Sequence, residues 1–415
     1  MRTLLFLLIF FGWLIYYAFT AVYTGLSGVD EPARQLLLAA FTGIGLCALI
    51  SPLVYRRLSD NGWPSALVKY TVHTLIAVFL GQLLMAAVMF IGDLWIGVKA
   101  VFTGLHTAWA APASAENTAI SRSPFVGQFA MLSGGLLFLS LLYGVSRRYR
   151  YQVRTVRIPV DGLPEAFHGL RIVQLSDIHS GSFDNPNAVR RGVDKAMSLA
   201  PDLILFSGDL VNNRADEFKP YLTIFAHLRA PMGVYSVLGN HDYGDYVRWP
   251  SSAAKQENLH RLMHYQRQAG WRLLLNESAT LHKDGDTLTL LGVENWSGRA
   301  AFSRYGSLEQ ALSGTPSDRP AILLSHDPSH WTAEVVGRHP QIVLTLSGHT
   351  HGMQFGIESR WFKWSPVQYF YKQWAGLYQQ GRQFLYVNRG FGFLGYLGRL
   401  GMPPEITLLE LVRAQ

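Results

Sequence analysis

Ile342-Val343-Leu344-Thr345-Leu346-Ser347-Gly348-His349-Thr350-His351-Gly352 decides how the rest of the chain is read. The apolar, β-branched run at 342–346 has the composition of a buried strand, so His349 and His351 stand where that strand opens into a loop. Residues two apart at a strand end send both imidazoles toward one point, and the flanking glycines let the backbone turn tightly beside whatever is held there. A lone His-x-His pair also decorates ordinary loops, so its weight depends on what repeats upstream.

The pattern repeats four times. Residues 170–175 read as a strand ending in Ser176-Asp177-Ile178-His179, and 202–206 as a strand ending in Ser207-Gly208-Asp209. Residues 233–238 end in Gly239-Asn240-His241-Asp242, and 321–325 in His326-Asp327-Pro328. One such segment is a polar turn; five in succession, each just after an apolar run, point to a shared metal centre. Short apolar runs alternating with amphipathic segments from Tyr151 onward mark an α/β domain. Carboxylate, amide and imidazole donors without thiolate suit Mn, Fe, Zn or Mg. Seven donor residues exceed the needs of one ion and imply two, roughly 3.5 to 4 Å apart, an arrangement that clamps attacking and leaving oxygens in phosphoryl displacement.

The first 150 residues read differently. In a chain of 415 residues, 49% hydrophobic against 15% charged places part of the polypeptide in lipid. Residues 4–26, 35–54, 67–91 and 128–145 are expected to form four membrane-spanning helices, each near the length that crosses a hydrocarbon core about 30 Å thick. The first exceeds the apolar stretch of about 7 to 15 residues usual in a signal peptide and is read as an anchor. Arg2, Arg56, Arg57, Arg147, Arg148, Arg150 and Arg154 fall on one side, against Arg34, Lys99 and Arg122 on the other. The positive-inside rule then puts both chain ends and residues 151–415 on the cytoplasmic side of the inner membrane, with the loop at 110–123 outside. Lys69 and His73, four apart in the third span, read as a snorkelling pair rather than an ion path, and Asp93 and Trp95 as interface residues. The single cysteine, Cys47, excludes a disulfide framework and a thiolate zinc cluster. A formal charge of +8 suits nucleic acid or an anionic membrane surface, and the four spans favour the membrane.

With these blocks in order across residues 170–352, the sequence resembles the calcineurin-like metallophosphoesterases, whose pattern is Asp-x-His, Gly-Asp, Gly-Asn-His-Asp/Glu, a lone His, then Gly-His-x-His. Tyr386-Val387-Asn388-Arg389-Gly390-Phe391-Gly392 looks like the closing segment of the family's membrane-associated branch. The resemblance implies a pair of packed sheets flanked by helices. It implies that Asp177, His179, Asp209 and His351 hold one ion, and that Asp209, Asn240, His326 and His349 hold the other. It further implies in-line attack on phosphorus by a hydroxide bridging the ions, with His241 donating a proton or hydrogen bond to the phosphate and Asp242 orienting His241. Two positions depart from the family. Asn212 stands where many relatives carry a carboxylate, and Met353 where glycine is frequent.

The substrate side rests on residues 361–378, where Trp361, Phe362, Trp364, Tyr369, Phe370, Tyr371, Trp374 and Tyr378 mix with Lys363 and Lys372 just after Arg360. They read either as an aromatic mini-core under a long loop or as an interfacial flap with bases on anionic phosphate. Phe391, Phe393, Leu394, Tyr396 and Leu397 are expected to line the same apolar mouth. The expected substrate is an amphiphilic phosphodiester or pyrophosphate from the cytoplasmic leaflet. Some relatives hydrolyse UDP-2,3-diacylglucosamine, which makes that nucleotide lipid a candidate. Two other classes remain: a transporter or sensor, whose site would lack a proton donor such as His241, and a nuclease, which would need a basic, aromatic track to the metals; no nucleic-acid partner is expected.

Overall fold

The computed structural model describes residues 2–60, 65–109 and 122–414, in two compact units, Met1–Tyr143 and Gly144–Gln415. The first is helical: α1 (Arg2–Gly25), α2 (Glu31–Asp60), α3 (Ser65–Trp109) and α4 (Pro124–Arg147), the last turn of α4 belonging to the second unit. Among the described residues three stretches are long and apolar enough to cross a membrane, Glu31–Ser51, Tyr70–Thr103 and Pro124–Arg147, beside the shorter apolar Ile9–Gly25. α3 runs well past the expected end at residue 91 because only Asp93 and Lys99 interrupt its apolar character and no proline stops it. At 45 residues it extends about 68 Å, more than twice the hydrocarbon thickness. The segment at 110–121 and the side chains of Arg2, Arg56, Arg57 and Lys69 lie outside the description.

Small residues let these helices close on one another, as expected where lipid supplies no hydrophobic drive between them. Ala21, Met89 and Ala130 are buried together, and a Cβ on Gly81 would meet Gly134 O at 2.9 Å. Asp93 is more than an interface residue. Arg122 grips it through Nε–Oδ1 at 2.8 Å and Nη2–Oδ2 at 2.5 Å, while the guanidinium lies over the rings of Tyr16 and Tyr17.

The second unit is built on two six-stranded sheets. Its strands are β1 (Gln152–Val160), β2 (Leu170–Leu175), β3 (Leu203–Phe206), β4 (Val234–Ser236), β5 (Arg272–Leu273), β6 (Glu277–Lys283) and β7 (Asp286–Gly292). They continue with β8 (Ala321–Leu324), β9 (Ile342–Ser347), β10 (Ile357–Glu358), β11 (Lys363–Trp364), β12 (Gly376–Gln380), β13 (Gln383–Val387) and β14 (Glu405–Arg413). The sheets run β1-β14-β2-β3-β4-β5 and β12-β13-β9-β8-β7-β6, with β10 and β11 forming a separate hairpin. Strands β2 to β4 are mutually parallel, as are β7, β8, β9 and β13, so each sheet delivers its carboxyl ends along one edge. The expected strand at 233–238 ends at Ser236, although Val237 N–H still donates to Phe206 O at 3.1 Å.

Period-two alternation builds three apolar layers. Ile172, Leu203, Leu205, Ile322, Leu324 and Leu344 point between the sheets, while Val173, Leu175, Ile204 and Phe206 point outward beneath helices that include Pro186–Met197 and Ser252–Gln268. Leu291, Ala321, Leu323 and Leu385 face the opposite side under Leu308, Trp331 and Val335. The result is the expected sandwich of two sheets between helical layers. Polar pins cross the middle: Gln174 Nε2 donates to Ser207 Oγ at 3.1 Å in one sheet and to Ser347 O at 3.0 Å in the other.

A buried ion cluster closes the C-terminal side. Glu405 accepts from Arg389 Nη1 (2.5 Å), Tyr386 Oη (2.7 Å) and Thr407 Oγ1 (2.6 Å), and Arg389 also reaches Glu358 at 2.7 Å. Glu405→Ala removes the acceptor these three donors share. Thermal unfolding of the detergent-solubilised chain is expected to show a loss of about 3–5 kcal/mol, against less than about 1 kcal/mol for Arg157→Ala in the exposed pair with Glu410.

Candidate metal centre

The loops that follow β2, β3 and β9 are held in an uncommon backbone conformation. Asp177, His179, Asp209, His349 and His351 have φ of 51°, 48°, 62°, 71° and 52°. Left-handed backbone costs an ordinary L-residue roughly 1–2 kcal/mol, and such strain persists where the surroundings over-determine it, typically at functional sites. Two glycines allow the close approach. Gly208, at φ 100°, lies where a Cβ would meet His326 Nδ1 at 2.8 Å, and a Cβ on Gly348 would run into Ser176 Oγ and the Asp177 carboxylate.

All seven expected donors come together. Asp177, His179 and His351 form one group and Asp209, His326 and His349 another, the donor atoms of each lying within 4.8 Å of one another. Asn240 joins the second group, its Oδ1 standing 2.8 Å from His349 Nδ1. Asp209 links the two: its Oδ1 accepts the backbone N–H of His241 at 2.8 Å, while its Oδ2 lies 3.1 Å from His326 Nε2 and 3.5 Å from His179 Nε2.

Hydrogen-bond partners fix which ring atoms face inward. His326 Nδ1–H donates to Ser207 O at 2.8 Å, which aims Nε2 at Asp209. Tyr371 gives its hydroxyl hydrogen to Asp327 Oδ2 (3.3 Å) and receives His349 Nε2–H (2.8 Å), which leaves Nδ1 bare. Tyr246 takes the Asn240 amide N–H at 2.9 Å, turning Oδ1 toward His349. Lone pairs of His349 Nδ1 and Asn240 Oδ1 therefore face each other at 2.8 Å, with His326 Nε2 3.3 Å from the same Nδ1, an arrangement that a cation among them relieves. Among the described residues, both ring nitrogens of buried His179 and Nε2 of His351 have no hydrogen-bond partner. Leaving such groups unpaired costs about 1–3 kcal/mol each. An oxygen and imidazole set of this kind fits divalent cations.

Electrostatics agree. Burial holds His179 down at about 3, His349 at about 4 and His351 well below the ordinary histidine range, so these rings are neutral, as ligands must be. Burial opposes the charge on His326 too, but Asp209 and Asp177 outweigh it and raise that ring to about 10. Asp177 is itself raised to about 6, chiefly by burial. The buried carboxylates demand positive charge, and a proton on His326 or a divalent cation supplies it.

Asp242 does not orient His241. Its carboxylate accepts four backbone N–H groups, those of Asp209 (3.0 Å), Leu210 (2.8 Å), Val211 (3.2 Å) and Gly239 (2.9 Å), because it is buried under the turn where these amides point inward. His241 is fixed instead by Nδ1–H donating to the main-chain oxygen of Asn212 at 2.7 Å. The departure at Asn212 is absorbed nearby: Glu217 reaches back to the N–H groups of Asn212 (2.6 Å) and Arg214 (3.1 Å).

The centre opens into a cavity of about 450 Å³ whose remaining lining includes Arg299, Phe302, Met353, Val367, Phe370 and Leu394. Met353 keeps a left-handed φ of 53° despite its side chain, so the loop retains the geometry a glycine would give it and adds an apolar wall. The aromatic segment divides: Trp374, Val367 and Met402 make a small core, whereas Trp361, at 86% exposure, Phe362, Tyr369 and Phe370 remain outside. Phe391, Phe393 and Leu397 do not line the mouth; they belong to the main core, and of that group only Leu394 reaches the cavity. Sequence reasoning missed the roles of Tyr246, Asp327, Tyr371 and Arg299. Asp327 adjoins a ligand and Tyr371 stood in the flagged segment, but nothing local distinguished Tyr246 or Arg299.

Residues 170–353 match the model of the calcineurin-like phosphoesterases. The chain is also 30% identical over 300 residues to the UDP-2,3-diacylglucosamine pyrophosphatase LpxG of Chlamydia trachomatis, a match covering 60% of this chain and 86% of that one. This chain belongs to the calcineurin-like phosphoesterases. That family binds two metal ions, and the two donor groups match that number. Residues 1–148 match a probable calcineurin-like phosphoesterase transmembrane domain, so this chain is a membrane protein. It is 31% identical over 270 residues to a transmembrane protein with metallophosphoesterase domain of Danio rerio, covering 63% of this chain and 58% of the relative. The match to a Bos taurus protein of the same description covers 57% of that relative, so the phosphoesterase spans under three-fifths of both.

Gly348→Ala drives a methyl group against Asp177. Elemental analysis of the purified variant is expected to show less bound metal than the parent at an unchanged helix content by circular dichroism. Tyr246→Phe frees the Asn240 amide to rotate and is expected to weaken metal affinity about 10- to 100-fold.

Proposed function

We propose that this phosphoesterase hydrolyses a phosphodiester or pyrophosphate bond of an amphiphilic substrate, with residues 1–150 as its membrane region and 151–415 as a cytoplasmic catalytic domain. The observation that carries this reading is Asp209 Oδ2, shared by imidazoles of both donor groups inside a cavity with apolar walls. In the proposed assignment Asp177, His179, Asp209 and His351 hold one divalent ion, and Asp209, Asn240, His326 and His349 the other. Bound there, the ions supply charge neutralisation on phosphate oxygens and a water of lowered pKa.

The protein groups divide the remaining tasks. His241, anchored through Nδ1–H on Asn212 O, donates from Nε2 to a phosphate oxygen in the form that carries a proton on both ring nitrogens, as the leaving group departs. Water adds its oxygen to phosphorus, the bond to the bridging or ester oxygen breaks, and that oxygen takes up a proton. The Tyr371–Asp327 pair keeps His349 in one tautomer throughout. Phe302, Met353, Val367 and Leu394 offer surface to the apolar part of the substrate. The likeness to LpxG supports a lipid-linked pyrophosphate, and UDP-2,3-diacylglucosamine is the proposed representative.

Incubating the purified full chain with that nucleotide lipid and Mn²⁺ is expected to release UMP. Turnover of a simple aryl phosphodiester without UMP release would remove the lipid assignment and keep the phosphoesterase. His241→Ala is expected to lower kcat by about 10²- to 10⁴-fold at unchanged metal content, whereas Asp209→Asn is expected to lose metal and hydrolysis together. A reporter fused to the C terminus is expected to signal from the cytoplasm.

A further inference from the structure

Among the residues lining the cavity, Arg299 is the one with a permanent positive charge. It comes from the loop after β7, which contributes no metal donor, and it is held firmly. Its Nη1 donates to Phe370 O at 2.5 Å, and its guanidinium carbon lies 4.9 Å from the centre of the Tyr371 ring. The loop itself is braced by Gly298 N–H on Ser329 Oγ (2.8 Å), Arg299 N–H on Ser297 Oγ (3.0 Å) and Arg304 Nε on Ser297 O (2.6 Å).

What Arg299 lacks is a counter-charge. No carboxylate pairs with it among the described residues, and its Nε and Nη2 hydrogens have no partner there. A guanidinium beside a site that gathers divalent cations is electrostatically unfavourable unless the occupant brings more negative charge than the reacting phosphate alone. Its planar fork matches two oxygens of a phosphate. Tyr371 joins this cation to the centre, since the ring under Arg299 bears the hydroxyl that holds His349.

We propose that Arg299 is the subsite for a second phosphoryl group, the one not attacked, so that the cavity selects substrates with two linked phosphates over those with one. This rests on the hydrolytic reading above and sharpens it. The diphosphate spans from the donor cluster to Arg299, and the apolar portion lies along Met353, Val367 and Leu394.

Uridine diphosphate and uridine monophosphate serve as binding probes for the Mn²⁺-loaded full chain, by calorimetry, alongside turnover of bis-p-nitrophenyl phosphate. Arg299→Ala is expected to weaken uridine diphosphate by at least tenfold more than uridine monophosphate, and Arg299→Lys to recover part of that difference. Equal weakening of both nucleotides would overturn the subsite and leave Arg299 as a brace for Tyr371. Metal content equal to the parent's shows that the variants are folded. Because the nucleotides are read by binding, a parent that fails to cleave the aryl ester would sink the hydrolytic reading while the subsite is still decided by the two affinities.

Discussion

One carboxylate oxygen organises the two-sheet unit. Asp209 Oδ2 faces imidazoles from two different strand ends, and Oδ1 is tied to the backbone of a third. A buried carboxylate is costly unless positive charge and hydrogen bonds surround it. Here burial opposes the charge, yet His326, by its charge and its hydrogen bond, holds the carboxyl well below its usual range. Both donor groups depend on that one side chain, which makes the position of its backbone the most constrained quantity in the structure.

The constraint is met by strain on one side and clamps on the other. Five donor residues adopt left-handed backbone, which only dense surrounding contacts can sustain. Asp242 supplies much of that density by drawing four amides from two turns onto one carboxylate. His349 N–H donates to both oxygens of Asp177 at 3.0 Å, so a donor loop of one sheet fixes a donor of the other. Tyrosines finish the arrangement, Tyr246 turning Asn240 and Tyr371 turning His349, as outer partners commonly do around metal ligands.

Around this polar floor the wall is apolar, and the contrast carries the functional reading. Carboxylate and imidazole donors suit metal ions; Met353, Val367, Phe370 and Leu394 offer no such donor and present only apolar surface. The exposed rings of Trp361 and Phe362 lie on the hairpin of β10 and β11, and Tyr369 and Phe370 just beyond it. The membrane unit follows different rules, with small residues at its helix contacts and the Asp93–Arg122 pair satisfied internally.

Much of this was legible from residue order alone. Apolar runs of strand length followed by Asp, Asn or His identify donors, because strand direction and period two are local properties that place a residue at a carboxyl edge. Apolar stretches likewise announce membrane helices, though α3 outran its expected end where two charges failed to stop it. Partnerships were another matter. The family resemblance implies that Asp242 orients His241, but the turn sends one side chain under the backbone and the other toward Asn212 O. Phe391 and Phe393 carry the composition of a cavity lining and are core residues, since burial depends on what packs from distant segments. Arg299 and Tyr246 belong to no motif, and only the folded chain brings them to the site. Sequence determined which atoms can bind a metal and a phosphate; tertiary structure decided which of them meet, because distance between side chains is set by packing across the two sheets and not by spacing along one strand.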